Sequence, residues 1–231
     1  MQNYKNLFID LDDTLYDFTA ASREAFRETY DLLRFSRYFD SFEHYMEIYS
    51  PYNLMLWGLY GEGKITKEEL NRRRYSHPLE TVGVHDSALA DTFCREALGR
   101  IPTKGPLVPG AVELLEYLRP CYRMFILSNG FKELQSRKMK RAGIDKYFDD
   151  LILSEDIGFN KPRRELFEHA LERTGSALDE SIMIGDMFET DITGAANIGM
   201  QQIFFNPKRL TGFPFTPTYE VNSLLEIKEI L

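Results

Sequence analysis

Three carboxylates fall within four residues at Asp10-Leu11-Asp12-Asp13, and Thr14 follows them. Acids this close repel one another unless a cation is bound. The group therefore reads as a Mg²⁺ site with an acidic nucleophile, since Mg²⁺ takes oxygen ligands and often works beside a phosphate. Three further features lie along the chain. Ser128-Asn129-Gly130 sets a small hydroxyl and a backbone-exposing glycine ahead of a helix, a candidate phosphate cradle. Lys161-Pro162 offers an ammonium able to neutralise a phosphate. Gly185-Asp186-Met187-Phe188-Glu189-Thr190-Asp191 supplies a second pair of acids, Asp186 and Asp191, five residues apart. Each has a plainer reading alone: a solvated Asx turn, a strand-to-helix turn, a solvated lysine, a helix N-terminal charge pattern.

The elements that must carry these residues follow from hydrophobic patterning. Five short apolar runs read as buried strands: Leu7-Phe8-Ile9, Met124-Phe125-Ile126-Leu127, Leu151-Ile152-Leu153, Ile182-Met183-Ile184 and Ile203-Phe204-Phe205. They are continuous rather than alternating, as in a parallel sheet covered on both faces. Amphipathic stretches between them predict helices at Ala111–Leu118, Lys132–Ala142 and Arg163–Thr174, the last two stopping at Gly143 and Gly175. From residue 107 the chain alternates helix and strand, the pattern of a doubly wound α/β fold. Each chemical feature then stands at or just beyond a strand end, where open parallel sheets bind ligands. Residues 17–104 differ. They hold no comparable strand run, are rich in aromatics, and predict helices at Thr19–Phe35, Ser41–Leu59, Thr66–Tyr75 and Ser87–Leu98, with a capping-box spacing at Thr66 and Glu69. A helical insert thus interrupts one core domain, which comprises residues 1–16 and 105–231. Phe213–Pro217 predicts a rigid loop before a last helix, Ser223–Leu231.

Composition narrows the function classes. The chain has 231 residues, 43% of them hydrophobic, and a formal charge of −8, an ordinary globular makeup. The acid excess disfavours a broad nucleic-acid surface. It says little about one pocket, because net charge governs solubility and long-range fields. No apolar run approaches the roughly 18–20 residues that span a bilayer, and the polar start at Met1–Asn6 shows no signal peptide. Two cysteines, Cys94 and Cys121, support neither a disulfide framework nor a zinc pattern, which fits reduced thiols in the cytoplasm. His44, His77, His85 and His169 lack metal-ligand spacing, and Glu155-Asp156 reads as solvated charge or as a shaper of the loop carrying Lys161.

Taken together, Asp10-Leu11-Asp12-Asp13-Thr14, Ser128, Lys161 and Gly185-Asp186…Asp191 resemble the four motifs of the haloacid dehalogenase superfamily over nearly the whole chain. The resemblance implies a Rossmann-like core with strand order 5-4-1-2-3, a C1 cap formed by the helical insert, a Mg²⁺ cofactor and an aspartyl-enzyme intermediate. It makes Asp10 the nucleophile and Asp12 the general acid–base. The metal would be held by Asp10, the Asp12 main-chain carbonyl and Asp186, with Asp191 and Thr14 in support. Ser128, Asn129, Gly130 and Lys161 would bind the phosphoryl group. The second acid, Asp12, is the mark of phosphate-transferring members and not of true dehalogenases.

Within the insert, Asn53, Trp57, Tyr60, Gly63, Ile65 and Thr66, with Arg74 further on, resemble the cap of pyrimidine nucleotide phosphatases that clear non-standard nucleotides. Ser128-Asn129-Gly130-Phe131, with Leu134-Gln135 after it, does the same. A base could stack on Trp57 or Tyr60, with Asn53 or Arg74 making polar contacts. Most aromatics of the insert read as its helical core, and Arg72-Arg73-Arg74 as a solvated helix face, in which the resemblance gives only Arg74 a reason to point inward. The expectation is a phosphatase of small phosphate esters, a 5′-nucleotidase, acting as a monomer or homodimer with neither polynucleotide nor membrane as partner. The alternatives are a sugar-phosphate phosphatase or a phosphomutase, then a haloacid dehalogenase or a non-catalytic binding module.

Overall fold

The structure, a computed structural model, describes residues 4–231, so the expectation about the polar start falls partly outside the described residues. It divides into two compact units, one formed by the chain up to Phe18 together with Pro106–Leu231, the other by Thr19–Gly105. No helix among the described residues is long and apolar enough to cross a membrane.

The first unit is built on a sheet of six parallel strands: β1 (Asn6–Ile9), β2 (Arg123–Ser128), β3 (Asp150–Leu153), β4 (Ser181–Gly185), β5 (Gln201–Phe205) and β6 (Tyr219–Val221). Their order is β3-β2-β1-β4-β5-β6. Read from the other edge, this is the expected 5-4-1-2-3 order with one strand added outside β5. Every residue of β1 and β4 is buried, as both-face coverage requires. In register, Phe8 of β1 faces Phe125 of β2 and Met183 of β4. The two rings lie 5.2 Å apart and join Leu127 and Ile152 in the core. The alternate residues Leu7, Ile9, Ile126 and Ile184 are buried as well.

The second unit holds four helices: α1 (Phe18–Leu32, entered from the first unit), α2 (Phe42–Gly61), α3 (Lys67–Thr81) and α4 (Ser87–Arg100). Its core is aromatic. Phe26, Tyr30, Phe35, Phe39, Tyr45, Tyr49, Tyr75 and Phe93 are all buried, and Phe93 lies within 6 Å of four of the others, Phe26, Phe35, Tyr45 and Tyr75, centroid to centroid. Such edge-to-face and offset ring packing adds about 0.5–1.5 kcal/mol per pair to simple area burial. The capping box forms: Glu69 N donates to Thr66 Oγ1 (3.2 Å) and Thr66 N to Glu69 Oε2 (3.1 Å). Helices α2 and α4 each run two residues past their expected ends, and two boundaries differ by more. Helix α1 ends at Leu32, because Phe35 turns into a 3₁₀ segment that buries its ring. Helix α3 continues past Tyr75 to Thr81, because buried Pro78 and Leu79 gain more from the core than the missing proline N–H costs.

Back in the first unit come α5 (Ala111–Leu118), α6 (Lys132–Ala142), α7 (Arg164–Thr174) and α8 (Thr193–Asn197). Leu166, Phe167 and Ala170 of α7 and Ala195 of α8 pack on the sheet face that holds Phe8 and Phe125. The carboxyl end of the chain departs from expectation. Tyr219–Val221 is a short edge strand, and Leu224–Glu229 is a 3₁₀ segment rather than an α-helix. Leu224 and Ile227, three residues apart, bury together there, which suits the tighter 3₁₀ period.

Candidate active site

Asp10 is the first residue beyond β1, and its N–H continues the sheet by donating to Ile184 O of β4 (2.9 Å). Its side chain is buried beside Lys161, whose Nζ donates to Asp10 Oδ1 (2.6 Å) and to Leu127 O of β2 (2.8 Å). The same ammonium stands 2.6 Å from Asp191 Oδ1 as an ion pair without hydrogen-bond alignment. Lys161 is fixed by its backbone through Asn129: Lys161 N donates to Asn129 Oδ1 (2.8 Å) and Asn129 Nδ2 to Lys161 O (3.1 Å). The asparagine expected to face a phosphate through its backbone thus also ties the end of β2 to the lysine loop.

The acids after β4 are set by two local devices. Thr14 Oγ1 donates to Asp186 Oδ1 (2.9 Å) and accepts from Asp186 N (3.1 Å), clamping the β1 and β4 loops together. Residues Phe188–Ile192 form a π-helical turn that brings Asp191 back under the strand end, where its Oδ2 accepts from Met187 N (3.1 Å). Gly185 permits this approach, since a Cβ on it would lie 2.3 Å from Asp191 Oδ2.

One oxygen each of Asp10, Asp186 and Asp191 lies within 4.8 Å of the others. Asp12 behaves differently. Its Oδ1 is paired with Lys138 and its Oδ2 accepts from Gln135 Nε2 (3.0 Å). The carboxylate cluster is therefore Asp10, Asp186 and Asp191. Asp191, expected only in support, is a member, and Asp12 contributes no side-chain oxygen. Gln135 Nε2 also donates to Ser128 Oγ (2.6 Å), which accepts from Gly130 N as well (3.1 Å). Gln135 enters the sequence reading only within the stretch that resembles pyrimidine nucleotide phosphatases, with no role assigned, and Lys138 does not enter it at all. The available signal was two polar residues, three apart, on the inward face of the amphipathic helix α6.

Burial and then mutual repulsion shape the charges. Burial pushes the Asp10 carboxyl well above the usual range; Lys161 opposes this, and Asp191, Asp186 and Asp12 add to it. Burial, then the neighbouring Asp191, raises Asp186 to about 7. Lys161 is disfavoured by burial, but Asp10 and Asp191 outweigh that and hold its ammonium above the ordinary lysine range. Three carboxylates against one lysine leave a site short of positive charge. An all-oxygen donor set of this kind fits Mg²⁺. A concrete consequence follows from Asp186. Its folded-state value lies above the unfolded one, so its stability contribution is present at low pH and is lost as pH rises through about 7. Above that point a bound cation would offset the repulsion. Mg²⁺ is therefore expected to raise the melting temperature more at about pH 8 than at about pH 6, because ligands must shed protons to bind. Equal increments at both pH values, read by scanning fluorimetry, would contradict the assignment.

The other residues predicted for binding lie in the helical unit. Arg74 is 5% exposed. Its Nη1 donates to Asn53 Oδ1 (3.4 Å) and its Nη2 to Asn71 Oδ1 (2.5 Å). The guanidinium lies 5.7 Å from the Trp57 ring and 4.9 Å from that of Tyr75. Asn53, Trp57 and Arg74 thus gather together. Glu155 and Asp156 are engaged rather than merely solvated: Glu155 Oε2 accepts from Lys132 N at the start of α6, and Asp156 pairs with Arg173.

A family model for haloacid dehalogenase-like hydrolases matches residues 4–199. Pyrimidine 5′-nucleotidase YjjG of Escherichia coli is 34% identical, over 97% of this chain and 96% of its own. Pyrimidine 5′-nucleotidase PynA of Streptococcus pneumoniae is 31% identical, over 99% and 95%. The HAD-hydrolase YfnB of Bacillus subtilis is 32% identical over 100% of this chain and 97% of its own. Its magnesium-bound crystal structure superposes with a TM-score of 0.87, covering 99% of this chain and 98% of that one.

Proposed function

The chain belongs to the haloacid dehalogenase-like hydrolases, and from that premise we propose that it is a Mg²⁺-dependent phosphatase of small phosphate monoesters, with a pyrimidine nucleoside 5′-monophosphate as substrate. The observation that carries this reading is the separation of two acids two residues apart. Asp10 is buried on Lys161 at the carboxylate cluster, while Asp12 is held apart by Lys138 and Gln135. Neighbouring carboxyls in different environments suit a nucleophile and a general acid–base.

Asp10 attacks phosphorus through a carboxylate oxygen, the ester P–O bond breaks, and an aspartyl-phosphate forms. Asp12 donates a proton to the departing alkoxide. It then takes a proton from the water that cleaves the acyl phosphate, releasing inorganic phosphate and restoring Asp10. Ser128 Oγ, the Asn129 and Gly130 backbone and Lys161 orient the phosphoryl oxygens and stabilise charge as it spreads over them. Asp10, the Asp12 carbonyl and Asp186, with Asp191 beside them, would hold Mg²⁺, which screens the anionic nucleophile from the anionic ester. We assign base recognition to Asn53, Trp57 and Arg74. Supporting this, the buried Arg74 guanidinium is bonded to neutral amides, and its Nε has no partner among the described residues. We also propose a cytoplasmic setting, in keeping with free cysteines at 94 and 121.

A phosphate-release screen with Mg²⁺ tests the reading. Pyrimidine nucleoside monophosphates, non-standard ones included, should be cleaved faster than purine nucleotides and sugar phosphates, and EDTA should abolish turnover. Preference for sugar phosphates would overturn the nucleotide assignment, and dependence on a bisphosphate activator would indicate a mutase. Failure to cleave even a chromogenic ester would overturn the phosphatase itself.

A further inference from the structure

Lysine is almost never fully buried unless paired, yet the side chain of Lys138 on α6 has no exposed surface. Its ammonium lies 4.7 Å from the Phe18 ring centroid and 5.4 Å from that of Tyr16, and it ends on Asp12 Oδ1. A leucine or methionine could fill this space without burying a charge. Three residues earlier on the same helix, Gln135 is also buried, and its Nε2 binds Asp12 Oδ2 (3.0 Å) and Ser128 Oγ (2.6 Å). Both oxygens of Asp12 are therefore gripped from α6. The grip depends on Gly130, where a Cβ would lie 2.2 Å from Gln135 Nε2.

The placement is selective. Were Lys138 there simply to offset the acidic site, it would pair with Asp10, Asp186 or Asp191; its ion pair is with Asp12. Asp12 keeps 26% of its side-chain surface exposed, so the lysine backs the carboxylate from the interior and leaves an edge accessible. Of the two acids two residues apart, Asp10 thus meets one buried lysine, Lys161, which it shares with Asp191, and Asp12 meets another, Lys138.

We propose that Lys138, with Gln135, is the positioning residue of the acid–base step, holding the Asp12 carboxylate where it meets the leaving oxygen of the substrate. This rests on the phosphatase reading above. Lys138 touches neither phosphoryl group nor nucleophile; it acts through Asp12. Its contribution is largest where proton delivery matters most. An alkyl phosphate such as a nucleoside 5′-monophosphate expels a strongly basic alkoxide. A 4-nitrophenyl ester expels a stable phenolate that needs little protonation.

The test compares kcat/KM for these two esters in wild type and Lys138→Met, which keeps the stem packed against Tyr16 and Phe18. Because kcat/KM covers steps only through departure of the alcohol, the later water attack does not enter. The variant is expected to lose about 10²-fold or more on the nucleotide, the usual size of a general-acid contribution, and less than about tenfold on the aryl ester. Gln135→Leu, which loosens the same carboxylate without removing a charge, should show the same split to a smaller extent, and serves if Lys138→Met does not fold. Equal losses on both esters in the folded variants would overturn the proposal and leave Lys138 a structural residue. Wild type inert toward both esters with Mg²⁺ would overturn the phosphatase reading instead.

Discussion

Asp10→Asn is expected to lower Mg²⁺-dependent phosphate release by roughly 10⁴-fold or more, the scale seen when a catalytic nucleophile is removed from a preorganised site. The amide has nearly the same shape, so Lys161 keeps its bonds to Leu127 O and its ion pair with Asp191. Stability should move the other way. Burial already disfavours the Asp10 carboxylate, so a neutral amide removes a charge that the fold holds at a cost. The metal-free variant should then melt at or above the wild-type temperature, as functional residues traded against stability do. The same substitution should erase the phosphate that acid-quenched wild type carries on the peptide containing Asp10, read by mass spectrometry. Near-normal turnover in Asp10→Asn would end the nucleophile assignment. Loss of activity with a large drop in melting temperature would assign Asp10 a structural role instead.

Much of this site was legible because its anchors share one local signal. Asp10, Ser128 and Asp186 each end or follow a short, wholly apolar run, and such runs stand out in sequence when both faces of the strand are buried. Residues whose position depends on tertiary geometry were harder to see. Asp191 joins the carboxylate cluster through a π-helical turn, and no hydrophobic period encodes one extra residue per turn. Gln135 and Lys138 look like solvent-facing polar residues of an amphipathic helix until the fold turns their face inward toward Asp12. Edge strand β6 escaped for the opposite reason. Three residues with one exposed and one half-buried side chain carry too little apolar pattern to register. In the helical unit the aromatic excess correctly signalled a core. It did not single out Trp57, which remains half-buried beside Arg74 rather than joining the ring cluster.

Lys161→Ala should cost both function and stability, and pH separates the two charge effects. Lys161 is 4% exposed and bonds Asp10 while pairing with Asp191. Removing one partner of a buried ion pair leaves uncompensated charge, typically about 3–5 kcal/mol of destabilisation. The deficit must vary with pH. Lys161 is held above the ordinary lysine range, so in wild type it stays charged throughout the neutral region and adds no slope there. In the variant, Asp10 loses the one group that opposes burial, and its already raised value climbs further above the unfolded one. A group raised in the folded state favours folding at low pH and loses that contribution as pH rises through its folded value. The melting-temperature gap between wild type and Lys161→Ala should therefore be small near about pH 5 and widen towards about pH 8. Saturating Mg²⁺ should narrow it again by supplying positive charge to Asp10 and Asp191. A gap that neither pH nor Mg²⁺ alters would mean that the loss comes from the cavity left by the lysine stem. The ion pair would then contribute nothing to holding Asp10.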